Sequence, residues 1–175
     1  VSSSAQTILW VATIKEWKRP EIFIRLAKMF PKEKFVMVGG MSKKSNEYYE
    51  KIKDMALKVK NLEFRGYLNL EEVEEEFSRA KIFVNTSVQE GFPNTFLQSW
   101  RRGIPVVSYI DPDGIIEKES LGHVVSHEKT MVDGLNHWLM NDQNYSQRIR
   151  NIFKTEFDVT KKTDQYQDVF KQLSK

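Results

Sequence analysis

The side chains best placed for chemistry lie between residues 85 and 107, which read NTSVQEGFPNTFLQSWRRGIPVV. A β-branched strand pattern at residues 82–84 leads into a loop with a lone carboxylate, Glu90. Asn94 and Thr95 then form a polar pair that can cap a helix. An acid and a helix N-terminus are therefore expected just past the carboxyl end of a strand, where open α/β sheets bind ligands. A helix N-terminus favours anions, so a phosphate is the expected ligand.

The loop and the first turn of this helix predict a phosphate site built from backbone amides. Its residues are Gly91, Phe92, Pro93, Asn94 and Thr95. Pro93 has no N–H group, so the donors must come from its neighbours. An ordinary capped helix start also explains Asn94 and Thr95, and the two interpretations are compatible. Glu90 itself has a simpler explanation as a helix-dipole partner or a surface acid.

Strand and helix patterns alternate along the chain. Strands are predicted near residues 8–12, 35–38, 62–65, 82–84, 105–107 and 123–125. Helices are predicted near residues 20–30, 45–60, 94–102, 129–141, 143–156 and 159–173, and another is predicted to begin near residue 69. Asn69 and Glu72 are spaced as a capping box. Repeated βα units predict a Rossmann-like, doubly wound α/β fold, with a parallel sheet of about six strands and helices on both faces.

Several glycines follow the predicted strands. Gly39, Gly66 and Gly91 each come shortly after one. Because parallel strands end at the same edge of a sheet, we expect these glycines to share one cleft with Glu90. A glycine there lets a ligand approach the backbone closely.

The composition excludes several classes of protein. The chain has 175 residues and is 40% hydrophobic, enough for one domain with a real core. It has no cysteine, and its three histidines lack a shared metal-ligand spacing, so no metal site is expected. It contains neither an apolar run of transmembrane length nor a signal-peptide pattern. The sequon at residues 85–87 is therefore expected to carry no glycan. Residues 1–6 are expected to be a linker or the boundary of an expressed segment, and residues 7–175 one domain.

The signature stretch resembles that of the retaining glycosyltransferases of family 4, which have the GT-B fold. Glu90, Gly91 and Phe92 match the start of the family pattern, and residues 103–107 (GIPVV) match its end. The run EGFPNTFLQ followed by Trp100 is similar to a subgroup of polysaccharide-building enzymes from bacteria and archaea. The resemblance extends over nearly the whole chain.

The resemblance implies the nucleotide-sugar-binding, C-terminal half of a glycosyltransferase of the hexosyltransferase type. Such an enzyme moves a sugar, with retention and without a metal ion, from a nucleoside-diphosphate sugar to a glycan or lipid-linked acceptor. No cofactor is implied beyond the donor substrate. The N-terminal acceptor domain is absent from this sequence, so the isolated chain is expected to be inactive. The expected location is the cytoplasm, including the inner face of a membrane.

The resemblance also assigns roles near the diphosphate. Glu90 would accept hydrogen bonds from sugar hydroxyls or support charge in the transition state. Lys18 matches a family lysine that neutralises the donor diphosphate. Thr13 stands where the family has an arginine, so either Lys15 or Arg19 compensates or the phosphate grip is weaker.

The resemblance further implies which residues bind the nucleoside. Gln98 stands where the family has a glutamate that grips the ribose, and an exposed helix glutamine is an equal alternative. Gly66 and Tyr67 belong to the segment whose backbone reads the base, and Tyr67 either stacks on the base or packs in the core. Three tryptophans are expected to be packing residues: Trp17, Trp100 and Trp138.

Three other functions remain open. A nucleotide-sugar epimerase of the GT-B type would use the same phosphate site, and an assay without acceptor would separate it from a transferase. A non-catalytic nucleotide-binding module would lack an acceptor domain in its natural full-length chain. A dinucleotide oxidoreductase is disfavoured because no G-x-G-x-x-G follows the first strand. None of these functions involves nucleic acid as a partner.

Overall fold

The computed structural model describes residues 6–42, 46–140 and 145–157. The strands are β1 Thr7–Val11, β2 Lys34–Val38, β3 Leu62–Gly66, β4 Ala80–Asn85, β5 Val106–Ser108 and β6 Gly122–Val124. The helices are α1 Pro20–Met29, α2 Asn46–Leu57, α3 Leu70–Arg79, α4 Asn94–Arg101, α5 Ile115–Lys118, α6 Glu128–Met140 and α7 Tyr145–Glu156. Among these residues, no helix has both the length and the apolar character that a membrane crossing requires.

The six strands form one parallel sheet in the order β3-β2-β1-β4-β5-β6. The strand order reverses between β1 and β4, which is the switch point where doubly wound folds open a crevice. The carboxyl ends of β1, β2, β3 and β4 therefore lie side by side at one edge of the sheet. This topology confirms the predicted Rossmann-like fold.

Two hydrophobic layers cover the two faces of the sheet. Successive side chains of β1 pack into different layers, because neighbouring side chains along a strand point to opposite faces of the sheet. Ile8 and Trp10 pack in the layer that includes residues of α1, α2 and α6. Leu9 packs in the layer that includes residues of α3, α4 and α7. Both faces of β1 are therefore covered by apolar side chains, as expected for a central parallel strand.

The local signals in the sequence predict most element boundaries to within two residues. The capping box is present: the Asn69 side chain accepts from the Glu72 amide, and the Glu72 carboxylate accepts from the Asn69 amide. The predicted helix at residues 159–173 lies outside the described residues. The sequence patterns do not predict α5 or the 3-10 turns at Glu16–Lys18 and Pro112–Gly114, because elements of three or four residues carry too little periodicity.

Candidate functional site

A cavity of about 290 Å³ opens at the carboxyl edge of β1 to β4. It is lined by the ends of β1 and β2 and by the loops that follow β1 to β4, together with one residue of α3 and the start of α4. The lining residues are Val11, Ala12, Thr13, Lys18, Val38, Gly39, Gly40, Tyr67, Leu68, Val73, Glu90, Pro93, Asn94 and Thr95. The predicted residues Thr13, Lys18, Gly39, Tyr67, Glu90, Pro93, Asn94 and Thr95 are therefore brought together at one surface.

Glu90 and Lys18 form an ion pair in the wall of this cavity. The Lys18 Nζ lies 2.7 Å from the Glu90 Oε1, and their side chains are only 13% and 16% exposed. The same oxygen accepts a hydrogen bond from the Asn85 amide group at 3.1 Å and another from the Ser87 hydroxyl. Asn85 in turn accepts from the Ser87 backbone N–H at 2.8 Å, which holds the loop after β4 in a tight turn. Glu90 is therefore fixed in place by several donors.

This set of donors keeps Glu90 ionised. Burial raises the pKa of the Glu90 carboxyl, but hydrogen bonds from Lys18, Ser87 and Asn85, with the positive charge of Lys18, outweigh the burial and leave its pKa below the ordinary value. At neutral pH the site thus presents a carboxylate beside an ammonium group. A carboxylate in this state can accept hydrogen bonds from a ligand's hydroxyl groups.

Trp17 covers the ammonium group of Lys18. The Lys18 Nζ lies 4.1 Å from the centroid of the Trp17 ring, a distance typical of a cation–π contact. Trp17 is 43% exposed, so it does not lie in the core, and its ring packs against the Lys18 side chain instead. The other two tryptophans, Trp100 and Trp138, are buried as expected.

A buried hydrogen-bond chain holds the Lys18 loop against the sheet. The indole N–H of Trp10 in β1 donates to the Thr86 hydroxyl at 2.9 Å, and that hydroxyl donates to the Lys18 carbonyl. The Arg19 Nε–H donates to the Thr86 carbonyl at 2.8 Å, and the Arg19 guanidinium lies 4.1 Å from the ring centroid of Tyr109. The backbone position of Lys18 is thus set by groups on β1 and after β4.

Neither of the two basic residues that could compensate for Thr13, Lys15 and Arg19, lines the cavity. Arg19 is turned toward Tyr109 and does not line the cavity. The Lys15 Nζ lies 5.7 Å from the Trp17 ring centroid, and Lys15 does not line it either. Of the basic residues that follow β1, only Lys18 lines the cavity, within the part of the chain that the structure describes.

The start of α4 differs from the predicted cap. Pro93 occupies the N-cap position, Asn94 is the first helical residue, and no side chain caps the helix. The prediction that Asn94 and Thr95 cap the helix through their side chains is therefore wrong. Their backbone amides belong to the first turn, whose N–H groups have no partner within a helix. Both residues line the cavity, so this turn faces it.

Four predicted site residues do not line the cavity: Gly66, Gly91, Phe92 and Gln98. Gly66 ends β3 with a positive φ of 65°, and its carbonyl accepts from the Gly39 amide at 2.8 Å. The Phe92 ring packs on Trp100, with centroids 6.1 Å apart. Gly91 lies in the open loop beside Glu90, and a Cβ there would meet no atom within 4 Å.

Gln98 is engaged by a carboxylate on the neighbouring helix. Its amide nitrogen donates to the Glu74 Oε1 at 2.8 Å, while Arg101 and Arg102 pair with the Glu74 Oε2. Tyr67 is 79% exposed, so the interpretation of Tyr67 as a core residue is wrong. Tyr67 lines the cavity instead.

Asn85 and Ser87 are the site residues that sequence reasoning missed. Both are buried and both bond to Glu90. The available signal is the polar run that directly follows a β-branched strand, but the same run also has the pattern of a sequon. Burial of Asn85 in the folded chain is consistent with the expectation that this sequon carries no glycan.

Comparison with known proteins agrees with this fold. HepE from Anabaena, whose crystal structure is a complex with UDP and glucose, superimposes with a TM-score of 0.76 at 16% identity, over 97% of this chain and 49% of HepE. The C-terminal domain of the glycosyl transferase group 1 family protein LpcC from Francisella tularensis gives a TM-score of 0.68 at 18% identity, over 87% of this chain and 86% of that domain.

Sequence comparison gives the family. WclY of Escherichia coli, an O-antigen biosynthesis glycosyltransferase, is 28% identical over 121 residues, which cover 67% of this chain and 34% of WclY. The chain therefore spans about a third of the length of that curated relative. The family profile described as "Glycosyl transferases group 1" matches residues 5–142, most of the chain. The chain thus belongs to the glycosyl transferases group 1 family and has the fold of a GT-B C-terminal domain.

Proposed function

We propose that this chain is the donor-binding domain of a retaining glycosyltransferase that uses a nucleoside-diphosphate sugar. The observation that carries the proposal is the Lys18–Glu90 pair beside the first turn of α4, in a cavity at the switch point of the sheet. An ammonium group, a helix N-terminus and a fixed carboxylate suit a ligand with both phosphates and hydroxyl groups. The family membership supports the same reaction class.

The diphosphate is assigned to the side of the cavity where Lys18 faces the start of α4. The Lys18 ammonium group has three N–H donors. One of them points to Glu90, so the others can still donate to phosphate oxygens. The backbone amides of Asn94 and Thr95 add partial positive charge from the helix dipole. HepE, whose fold this chain shares, was crystallised with UDP and glucose, which supports a nucleoside diphosphate as ligand.

The nucleoside is assigned to the side of the cavity formed by Tyr67, Leu68 and Val73. These three residues follow β3 or lie in α3, and they supply an aromatic ring with two aliphatic side chains. A flat base suits such a surface because it can stack on an exposed aromatic ring. The backbone near Gly66 and Tyr67 would distinguish one base from another. Gln98 would approach the ribose with its amide oxygen, since its nitrogen is held by Glu74.

The donor sugar is assigned to Glu90. Its carboxylate is ionised and fixed, so it can hold sugar hydroxyl groups in one orientation while the bond from the anomeric carbon to the diphosphate breaks. Lys18 would stabilise the negative charge that develops on the leaving diphosphate. The acceptor hydroxyl oxygen then forms the new glycosidic bond on the same face and passes its proton to the oxygen of the leaving diphosphate. We propose that this step needs no divalent ion, since Lys18 and the helix start meet the phosphate charge.

The acceptor is assigned to a second domain of the GT-B type. In the GT-B layout two such domains face each other across the cleft, and the acceptor-side domain would contact the Glu90 edge. The acceptor is proposed to be a glycan or a lipid-linked glycan, by analogy with WclY and its role in O-antigen biosynthesis. Transfer of sugar to a lipid-linked acceptor would place the enzyme in the cytoplasm, at the inner face of a membrane.

Calorimetric titration of the Lys18→Ala variant with UDP tests the proposal. Loss of a charge-assisted hydrogen bond should weaken UDP affinity by about 10- to 100-fold. Lys15→Ala is the matched control, because it removes the same charge from the same loop but not from the cavity. It should change the affinity less than about threefold. Equal affinities in the wild type and Lys18→Ala, or binding that strictly requires Mg²⁺, would contradict the proposal.

A further inference from the structure

Trp17 contacts Lys18, which lines the cavity, and its own side chain is partly exposed to solvent. It is 43% exposed, whereas the side chains of Trp10 and Trp100 are almost completely buried. A large part of the Trp17 side chain therefore stays in contact with water. The backbone at this position is nevertheless fixed, because the Trp17 carbonyl accepts a hydrogen bond from the Val88 N–H at 3.0 Å. The 3-10 turn that carries Trp17 and Lys18 is thus tied to the loop that carries Glu90.

The Lys18 ammonium group is held between the Trp17 ring and the Glu90 carboxylate. The Nζ lies 4.1 Å from the ring centroid and 2.7 Å from the Glu90 Oε1. The Lys18 side chain is only 13% exposed, although lysine is among the residues most often found in water. The electron-rich face of the indole offsets part of the hydration that the ammonium group loses.

We propose, resting on the donor-binding function proposed above, that Trp17 is a positioning residue for the donor diphosphate. Its ring restricts the flexible Lys18 side chain to one location at the cavity wall. Lys18 then binds the phosphates without the loss of rotamer freedom that a mobile lysine would suffer on binding. Trp17 acts through Lys18, and the two side chains form one functional unit.

This role depends on the aromatic ring and not on its bulk. A phenylalanine keeps a negative ring face that attracts the ammonium group, while a leucine of similar size does not. Trp17→Phe and Trp17→Leu therefore form a matched pair. Because the Trp17 side chain is 43% exposed, both variants are expected to fold, and thermal unfolding checks this.

The experiment measures UDP affinity by calorimetry for both Trp17 variants, each with native Lys18 and with Lys18→Ala. With native Lys18, Trp17→Leu should weaken UDP binding by about 2- to 30-fold, the range implied by a cation–π contact, and Trp17→Phe should recover most of it. With Lys18→Ala, Trp17→Leu should have no further effect, as expected for two residues that act as one unit. An equal loss in both backgrounds, or no loss with native Lys18, would overturn the proposal.

A second readout is independent of any ligand. If Trp17 holds Lys18 against Glu90, then Trp17→Leu should raise the pKa of the Glu90 carboxyl toward its ordinary value, measured by carbon NMR of the labelled carboxyl. An unchanged Glu90 titration would overturn the positioning role. If the wild type does not bind UDP at all, the donor-binding function fails, while the titration still decides whether Trp17 positions Lys18.

Discussion

At the scale of single residues, the site depends on an ion pair that the protein holds ready. Lys18 and Glu90 are paired at 2.7 Å, and Asn85 and Ser87 add hydrogen bonds to the same carboxylate oxygen. A half-buried carboxylate with these partners needs little reorganisation when a ligand arrives, which is the condition for electrostatic stabilisation in an active site.

The pH dependence of stability should report the state of Glu90. Because its pKa is lower in the folded protein than in the unfolded chain, its stabilisation is complete above the ordinary carboxyl pKa and is lost as pH falls through the folded value. The difference in unfolding free energy between the wild type and Glu90→Gln should therefore decrease on going from pH 7 to pH 3. The decrease should be about 1.4 kcal/mol for each tenfold difference in the acid dissociation constant of Glu90 between the folded and unfolded states.

Urea unfolding at several pH values measures this difference. Glu50→Gln is the control, because Glu50 forms an exposed pair with Lys53 at 3.4 Å, and such surface pairs contribute little. Its stability relative to the wild type should vary little between pH 7 and pH 3. A Glu90→Gln curve that runs parallel to the wild type over this range would show that Glu90 is not held as described.

At the scale of elements, the parallel strands place the four loops of the site, and glycines allow helices to pack closely. Gly103 connects α4 to β5 with a φ of 76°, and a Cβ there would lie 2.2 Å from the Ser146 carbonyl oxygen in α7. Both the left-handed backbone and the close contact exclude other residues. The helix α4 thus faces the cavity with its N-terminal end and packs against α7 at its C-terminal end.

Gly103→Ala should destabilise the domain more than Gly114→Ala. Gly114 has a similar φ of 68°, but a Cβ added there would meet no atom within 4 Å, so its substitution measures the backbone strain alone, about 1–2 kcal/mol. Gly103→Ala adds the displacement of α7 and should lower the unfolding free energy by at least about a further 1 kcal/mol. Denaturant unfolding compares the two variants. Equal losses of unfolding free energy would mean that α7 moves aside without destabilising the domain.

The elements were more predictable from the sequence than the site contacts. The β-branched runs and the glycines after Val38 and Arg65 are local signals, and they predicted the six strands because each strand leaves its own pattern. The hydrogen bonds of Asn85 and Ser87 to Glu90 depend on how a loop folds back on itself, which no periodicity records. The partial exposure of Trp17 and its contact with Lys18 likewise leave no periodic pattern in the sequence.

At the scale of the whole molecule, the chain matches less than half the length of HepE and about a third of WclY. We expect it to bind the donor without transferring sugar, because transfer requires an acceptor held near the anomeric carbon. Such positioning can supply about 7–11 kcal/mol of the barrier. In GT-B enzymes it comes from closure of the second domain.

Joining the acceptor domain to this chain should restore transfer, measured as product formation from a labelled donor sugar. In that enzyme, Glu90→Gln should lower turnover more than it lowers donor affinity, because the carboxylate acts mainly on the reacting sugar. Transfer at an ordinary enzymatic rate by the 175-residue chain alone would contradict the division of roles between the domains.

The proposed roles of Lys18 and Glu90 in the reaction depend on a nucleoside diphosphate binding at the carboxyl edge of β1 to β4. Titration of the isotope-labelled chain with UDP, followed through its backbone amide signals, is the decisive measurement. We expect saturable shifts, without Mg²⁺, at residues that line the cavity: Thr13, Lys18, Gly39, Gly40, Tyr67, Glu90 and Thr95. Amides at the opposite edge of the sheet, such as those of Lys34 and Leu62, should remain unchanged. Shifts confined to that opposite edge, or no saturable shifts up to millimolar UDP, would contradict binding at the cavity.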